Sequence, residues 1–167
     1  MKRITLFAIL LLLVSTAFIQ TKNSDMKLEP RFTVLTLGVD DLEKSFKFYH
    51  EGMGLPSKGI IGKEFEHGDV VFFDLKNGMV LALYSRDNLA WDSHVKKDNP
   101  SSTEFSIGYT TRNEAEVDSI MRQAKKAGAK IARPAQKTFW GGYSGYFQDP
   151  DGHLWEIAFN PGLIPQS

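Results

Sequence analysis

Two stretches of this chain repeat one pattern, and a repeated supersecondary unit constrains a fold more than any bulk property. FFDLKNGMVLAL, around Gly78, and YFQDPDGHLWEI, around Gly152, both place an aromatic five residues before the glycine (Phe73 and Phe147) and an apolar strand after it. Both read as β-hairpins. In the second, Pro150 presets φ for a turn, Asp151 tolerates a left-handed-like conformation, and Gly152 supplies positive φ at no steric cost. Alternation in the outgoing strand puts His153, Trp155, Ile157 and Phe159 on one face and Leu154, Glu156 and Ala158 on the other. Glu156 therefore stands as a lone carboxylate among small and apolar residues.

The elements before each hairpin repeat as well. FTVLTLGV is β-branched and apolar enough for a buried strand. Asp40 and Asp41 follow as N-cap candidates, with Leu42, Ser45, Phe46 and Tyr49 at helical spacing through LEKSFKFYHE. IIGKEFEHG and DVVFFDL read as strands, KNG as a turn and MVLALYS as the returning strand. RDNLAWDSHVKKDNPSS is a polar connector with at most one short helical piece. TEFSIGYTT then reads as a strand, NEAEVDSIMRQAKKAG as a helix between Asn113 and Gly128, and AKIARP as a strand. Each half is a β-α-β-β-β unit, at about 31–85 and 102–160.

Of the 167 residues 42% are hydrophobic and 24% charged, with formal net charge +0, which suits one globular domain with a sizeable core. The charge balance points away from nucleic acid as a partner. With no cysteine, disulfides, thiolate metal sites and Cys nucleophiles are excluded. Lys2 and Arg3 precede an apolar run from Ile4 to Val14, and Ser15-Thr16-Ala17 offers small residues for cleavage. Residues 1–22 thus read as a signal peptide or N-terminal anchor, 23–30 as a flexible lead-in and 31–162 as the folded domain. The apolar run is shorter than the roughly 20 residues a spanning helix prefers. The expected location is periplasmic or secreted, with membrane contact only through an uncleaved N-terminal segment.

LGVDDLEKSFKFY early and GYFQDPDGHLWEIAFNP late, in two β-α-β-β-β units, resemble the vicinal oxygen chelate superfamily. This group includes glyoxalase I, extradiol dioxygenases and bleomycin-resistance proteins. The resemblance runs from Phe32 to Pro161. It implies an α+β fold of two modules whose curled sheets form a cup, and by analogy a homodimer. In metal-dependent members, four strands each supply a ligand to a divalent ion. Those positions fall here on Val34, Ala82, Ser106 and Glu156, of which only Glu156 keeps a metal-binding group. One carboxylate cannot hold such an ion tightly, so no cofactor is expected and a divalent metal is disfavoured.

The missing ligands together with the aromatic residues then point to a small apolar or aromatic ligand in a metal-free cup, with Tyr84, Trp140, Tyr143 and Glu156 as contacts. The alternative is a lyase, isomerase or dioxygenase-type enzyme, with Glu156 as catalytic base or as ligand of a weakly bound divalent ion. Trp140, Tyr143, Tyr146 and Trp155 cluster around Gly141 and Gly142, partly as core and partly as pocket lining. Other candidates have plainer readings. His153 reads as a solvent-edge residue of the hairpin, and His50 as a partner for a helix C-terminus. Glu64 and Glu66 read as a solvated strand face. GGYSG lacks the strand-to-helix context of a phosphate loop, and no serine stands in a G-x-S-x-G elbow.

Overall fold

Leu37, Val39, Val71, Phe73, Leu81 and Leu83 alternate along three strands and are all buried on one face of a single sheet. The computed structural model describes residues 32–163. The signal segment and lead-in read from the sequence lie outside the described residues. In the first module, β1 (Val34–Val39) pairs in parallel with β4 (Val80–Ser85), β4 antiparallel with β3 (Val70–Asp74), and β3 antiparallel with β2 (Ser57–Ile61). The second module repeats this order: β5 (Ser106–Thr111), β8 (Leu154–Phe159), β7 (Tyr143–Gln148), β6 (Lys130–Lys137). The two four-stranded mixed sheets are the α+β architecture that the repeat predicts.

The helices start and stop where local chemistry directs. α1 (Leu42–Lys47) opens on Asp41, whose carboxylate accepts the Lys44 amide, and runs on into a π-helical turn over Phe48–Gly52. That wider turn brings Phe48 and Tyr49 together into the core. α2 (Arg86–Ser93), the helical piece of the connector, is capped by Ser85. α3 (Glu114–Ala127) starts at Asn113, which accepts the Glu116 amide, and stops at Gly128 with φ 107°. No helix among the described residues is long and apolar enough to cross a membrane.

One run differs from its sequence reading. KEFEHG does not extend a strand: β2 ends at Ile61, and residues 62–69 form a tight loop in which Gly62 and His67 have positive φ. The Phe65 amide bonds the Gly62 carbonyl, and the Gly68 amide bonds the Phe65 carbonyl. Glu64 and Glu66 are thus exposed loop residues with no strand face to share.

The core lies where the helix-bearing faces of the modules meet. Tyr49 packs against Phe73 of its own module and Trp155 of the other, with ring centroids 6.0 and 5.9 Å apart. Phe147 stacks on Trp155 and meets Phe48, while Val117, Met121 and Ala124 of α3 close the cluster. Burying aromatics of this size contributes roughly 1.5–3 kcal/mol each.

The DPDG turn clasps the modules together. Asp149 accepts the Tyr49 hydroxyl at 2.6 Å, the His153 ring nitrogen lies 2.8 Å from the same oxygen, and Trp155 Nε1 donates to the Tyr49 hydroxyl at 3.0 Å. Asp151 accepts the Asp40 amide and the Ser45 hydroxyl, and Arg86 donates to its carbonyl. His153 is therefore an internal residue, its side chain only 10% exposed, and not a solvent-edge one. Asp149 reaches over its own turn to hold both the His153 ring and its amide.

Candidate ligand-binding face of the second sheet

The face of each sheet away from the core is open. On the second sheet the register lines up one row across all four strands: Arg133 on β6, Tyr146 on β7, Glu156 on β8 and Gly108 on β5. Gly108 leaves open space beside Glu156, since a Cβ added there would meet no heavy atom within 4 Å. Arg133 lies over the Tyr146 ring, 4.8 Å from its centroid, and its Nη2 donates to the Ser144 hydroxyl at 2.6 Å and carbonyl at 3.2 Å. Burial first, then the hydrogen bond and charge of Glu156, push the Tyr146 hydroxyl above its ordinary pKa, with Arg133 pulling the other way.

A cavity of about 590 Å³ opens over this row, lined among others by Trp140, Ser144, Leu154 and Glu156. Trp140 sits at the tip of the β6–β7 hairpin, where the Gly142 amide bonds the Thr138 hydroxyl at 3.0 Å. Its ring lies over Gly142 so closely that a Cβ there would stand 1.7 Å from it. Glycine at 142 is thus what allows Trp140 to form a wall of the cavity.

The four contact residues expected from the sequence do not converge. Glu156 and Trp140 share the cavity. Tyr143 points to the core side of β7, where its hydroxyl donates to Asp118 of α3 at 2.9 Å. That bond, then burial, raises its pKa. Its alternation with Ser144 and Tyr146 determines this. Tyr84 belongs to the first sheet, and its one hydroxyl proton is shared between the His67 carbonyl at 2.6 Å and the Asp92 carboxylate at 3.0 Å. Both tyrosines are held by partners within the fold, on surfaces other than the Glu156 cavity.

The first sheet has its own open face, with a cavity of about 550 Å³ lined by Val34, Lys58, Ile61, Phe72, Asp74 and Val80. Val34 pairs with Val80, two residues along β4 from Ala82. Ser106 pairs with Leu154, two along β8 from Glu156. The four positions of the resemblance therefore form two equivalent diagonal pairs, one per sheet. The side chains of Val34 and Ala82 carry no atom that can bind a cation, and that of Ser106 offers one neutral hydroxyl. Among the described residues no three His, Asp or Glu side chains are placed to share an ion.

Arg133 and Tyr146 are the site residues that the sequence reading did not assign to ligand contact. Tyr146 was legible as a member of the aromatic cluster, which the sequence reads partly as core and partly as pocket lining. Arg133 gave no signal, because a bulge in β6 decides its side: Ile131 pairs with Phe147, yet Arg133 pairs with Tyr146, one step out of alternation.

This fold, two four-stranded β-α-β-β-β modules, defines a two-module glyoxalase-type protein. The family model of the Glyoxalase/Bleomycin resistance protein/Dioxygenase superfamily matches residues 31–157, and the chain belongs to that superfamily. It is similar to a glyoxalase-related enzyme from Fulvimarina pelagi, at 38% identity over 80% of this chain and 90% of that one, with TM-score 0.69. A glyoxalase/bleomycin resistance protein/dioxygenase from Nocardioides shares 22% identity over 86% and 92% of the chains, TM-score 0.66. A lactoylglutathione lyase from Agrobacterium tumefaciens shares 22% identity over 80% and 96%, TM-score 0.57. The last two likenesses concern the fold alone.

Proposed function

We propose that this protein binds a small apolar or aromatic molecule over Glu156 and Trp140 without a resident metal ion. The observation that supports it is the cavity of about 590 Å³ on the second sheet, within the size range of small-ligand sites, where apolar walls surround a few polar tips. The donor set supports the metal-free part: a site reduced to Glu156 and a serine hydroxyl is degenerate as a cation site. Without a Lewis acid, Glu156 serves as hydrogen-bond acceptor for the ligand. The open faces also carry half-exposed Val34, Ile61, Phe72 and Trp140, and a second copy of the chain is the partner proposed to cover them. Export through the N-terminal segment remains part of this reading.

The test is a screen of small aromatic compounds by tryptophan fluorescence and thermal shift. Saturable binding that raises the melting temperature and weakens in Trp140→Ala is the expected result. Stoichiometric uptake of a divalent ion at micromolar concentration, with no aromatic compound bound, would overturn it.

A further inference from the structure

Arg133 is fixed in place without being neutralised. Ser144 holds Nη2, and Tyr146 supports the guanidinium plane. Its Nε is buried with no hydrogen-bond partner. Among the described residues no carboxylate forms an ion pair with it, whereas Lys63, Arg86, Lys97 and Lys137 each have one. A guanidinium has five donors in a planar fork, and Ser144 uses only one nitrogen. A half-buried cation with spare donors facing a cavity is placed to bind an acceptor there.

At the other end of the row stands the opposite chemistry. Glu156 has no arginine or lysine within ion-pair reach among the described residues, and open space beside it over Gly108. Arg133 and Glu156 stand two strands apart, about 9.5 Å at the backbone, with the Tyr146 ring between them. The row therefore offers a donor fork at one end and an acceptor at the other, with the Trp140 ring as the aromatic wall of the cavity beside them.

We infer that the cavity takes a small planar acid, its carboxylate on the Arg133 fork and a hydroxyl or amine at its far end on Glu156. This rests on the ligand-binding reading above and narrows it to a chemical class. A planar acid matches the fork bidentately, lays its ring along Trp140, and keeps its own negative charge away from Glu156. A ligand reversed in the row would set carboxylate against carboxylate.

The experiment compares 4-hydroxybenzoate, 4-hydroxybenzamide, benzoate and uncharged 2-naphthol on the purified chain, by tryptophan fluorescence at neutral pH. The hydroxy acid is expected to bind about tenfold to a hundredfold more tightly than its amide, as for a charged hydrogen bond. Benzoate, lacking the donor for Glu156, binds more weakly than the hydroxy acid. Arg133→Gln brings the acid down to the affinity of the amide. Equal binding of acid and amide by the unaltered protein overturns the inference and needs no variant to show it. So does equal binding of benzoate and hydroxybenzoate. If only naphthol binds, the acid class is wrong while the apolar cup stands. If none of the four binds, both readings fall.

Discussion

Tyr49 and Asp149 are 100 positions apart in the chain, yet the tyrosine hydroxyl donates to the carboxylate at 2.6 Å in the middle of the core. The bond joins the helix of the first module to the hairpin turn of the second. Trp155 Nε1 donates to the same hydroxyl, so one phenol oxygen connects three elements. A turn motif that looks like local backbone chemistry thereby also acts as the clasp between two repeats.

Removing that hydroxyl should cost more than one average hydrogen bond. Tyr49→Phe keeps the ring packing but leaves the Trp155 indole N–H without its acceptor and Asp149 without one of its donors. The expected loss is about 1–3 kcal/mol in urea denaturation, with one cooperative transition retained. A variant as stable as the parent would mean that the clasp adds nothing.

Asp149 gives the clasp a pH signature. Burial opposes its ionisation, but the hydrogen bond and charge of His153 and the hydroxyl of Tyr49 outweigh it and hold its pKa below the ordinary 3.8. A depressed carboxylate contributes stability that is present above 3.8 and is lost as pH falls through the folded value. Tyr49 has the opposite sign. Burial and Asp149 raise its pKa well above 10.0, so its contribution is present below 10.0 and disappears as pH rises beyond it. Melting temperature followed from pH 7 downward should fall less steeply in Asp149→Asn than in the parent. Parallel acid limbs would contradict the assignment.

Gly142 is predicted to tolerate no side chain without moving Trp140. A Cβ would stand 1.7 Å from the indole and 2.5 Å from the Phe159 carbonyl oxygen. Gly142→Ala should cost about 1–3 kcal/mol, as overpacking does. It should also red-shift the Trp140 component of the emission, isolated by subtracting the spectrum of Trp140→Phe. An unchanged spectrum with unchanged stability would place the indole elsewhere.

For α3, the cap is separable from the core. Asn113 is exposed, and its side chain does nothing but accept from the Glu116 amide and contact the Glu116 carboxylate. Asn113→Ala should cost about 1 kcal/mol, and Asn113→Asp should restore most of it.

Titration with zinc, manganese or nickel offers the last check. With Val34 and Ala82 unable to coordinate, no micromolar ion should raise the melting temperature by several degrees. A sharp rise at one ion per chain would show that other side chains complete a site.

The sequence alone determined the two-module fold, because hydrophobic period and turn chemistry are local. Alternation along β8 already separates Trp155 from Glu156, and the caps Asp41, Asn113 and Gly128 bound their helices where the pattern places them. Tertiary structure decided the site and the clasp. Tyr143 and Tyr84 look as suitable for a ligand as Trp140, but Asp118, His67 and Asp92 occupy their hydroxyls, and nothing in the local chain marks those partners. His153 is drawn inward for the same reason, by an aspartate that also holds a tyrosine from the other module. Arg133 depends on less still: a bulge of one residue turns a side chain that strict alternation would send to the core onto the open face beside Tyr146. A strand's period is written residue by residue, whereas a slip in pairing is settled only when both strands are in place.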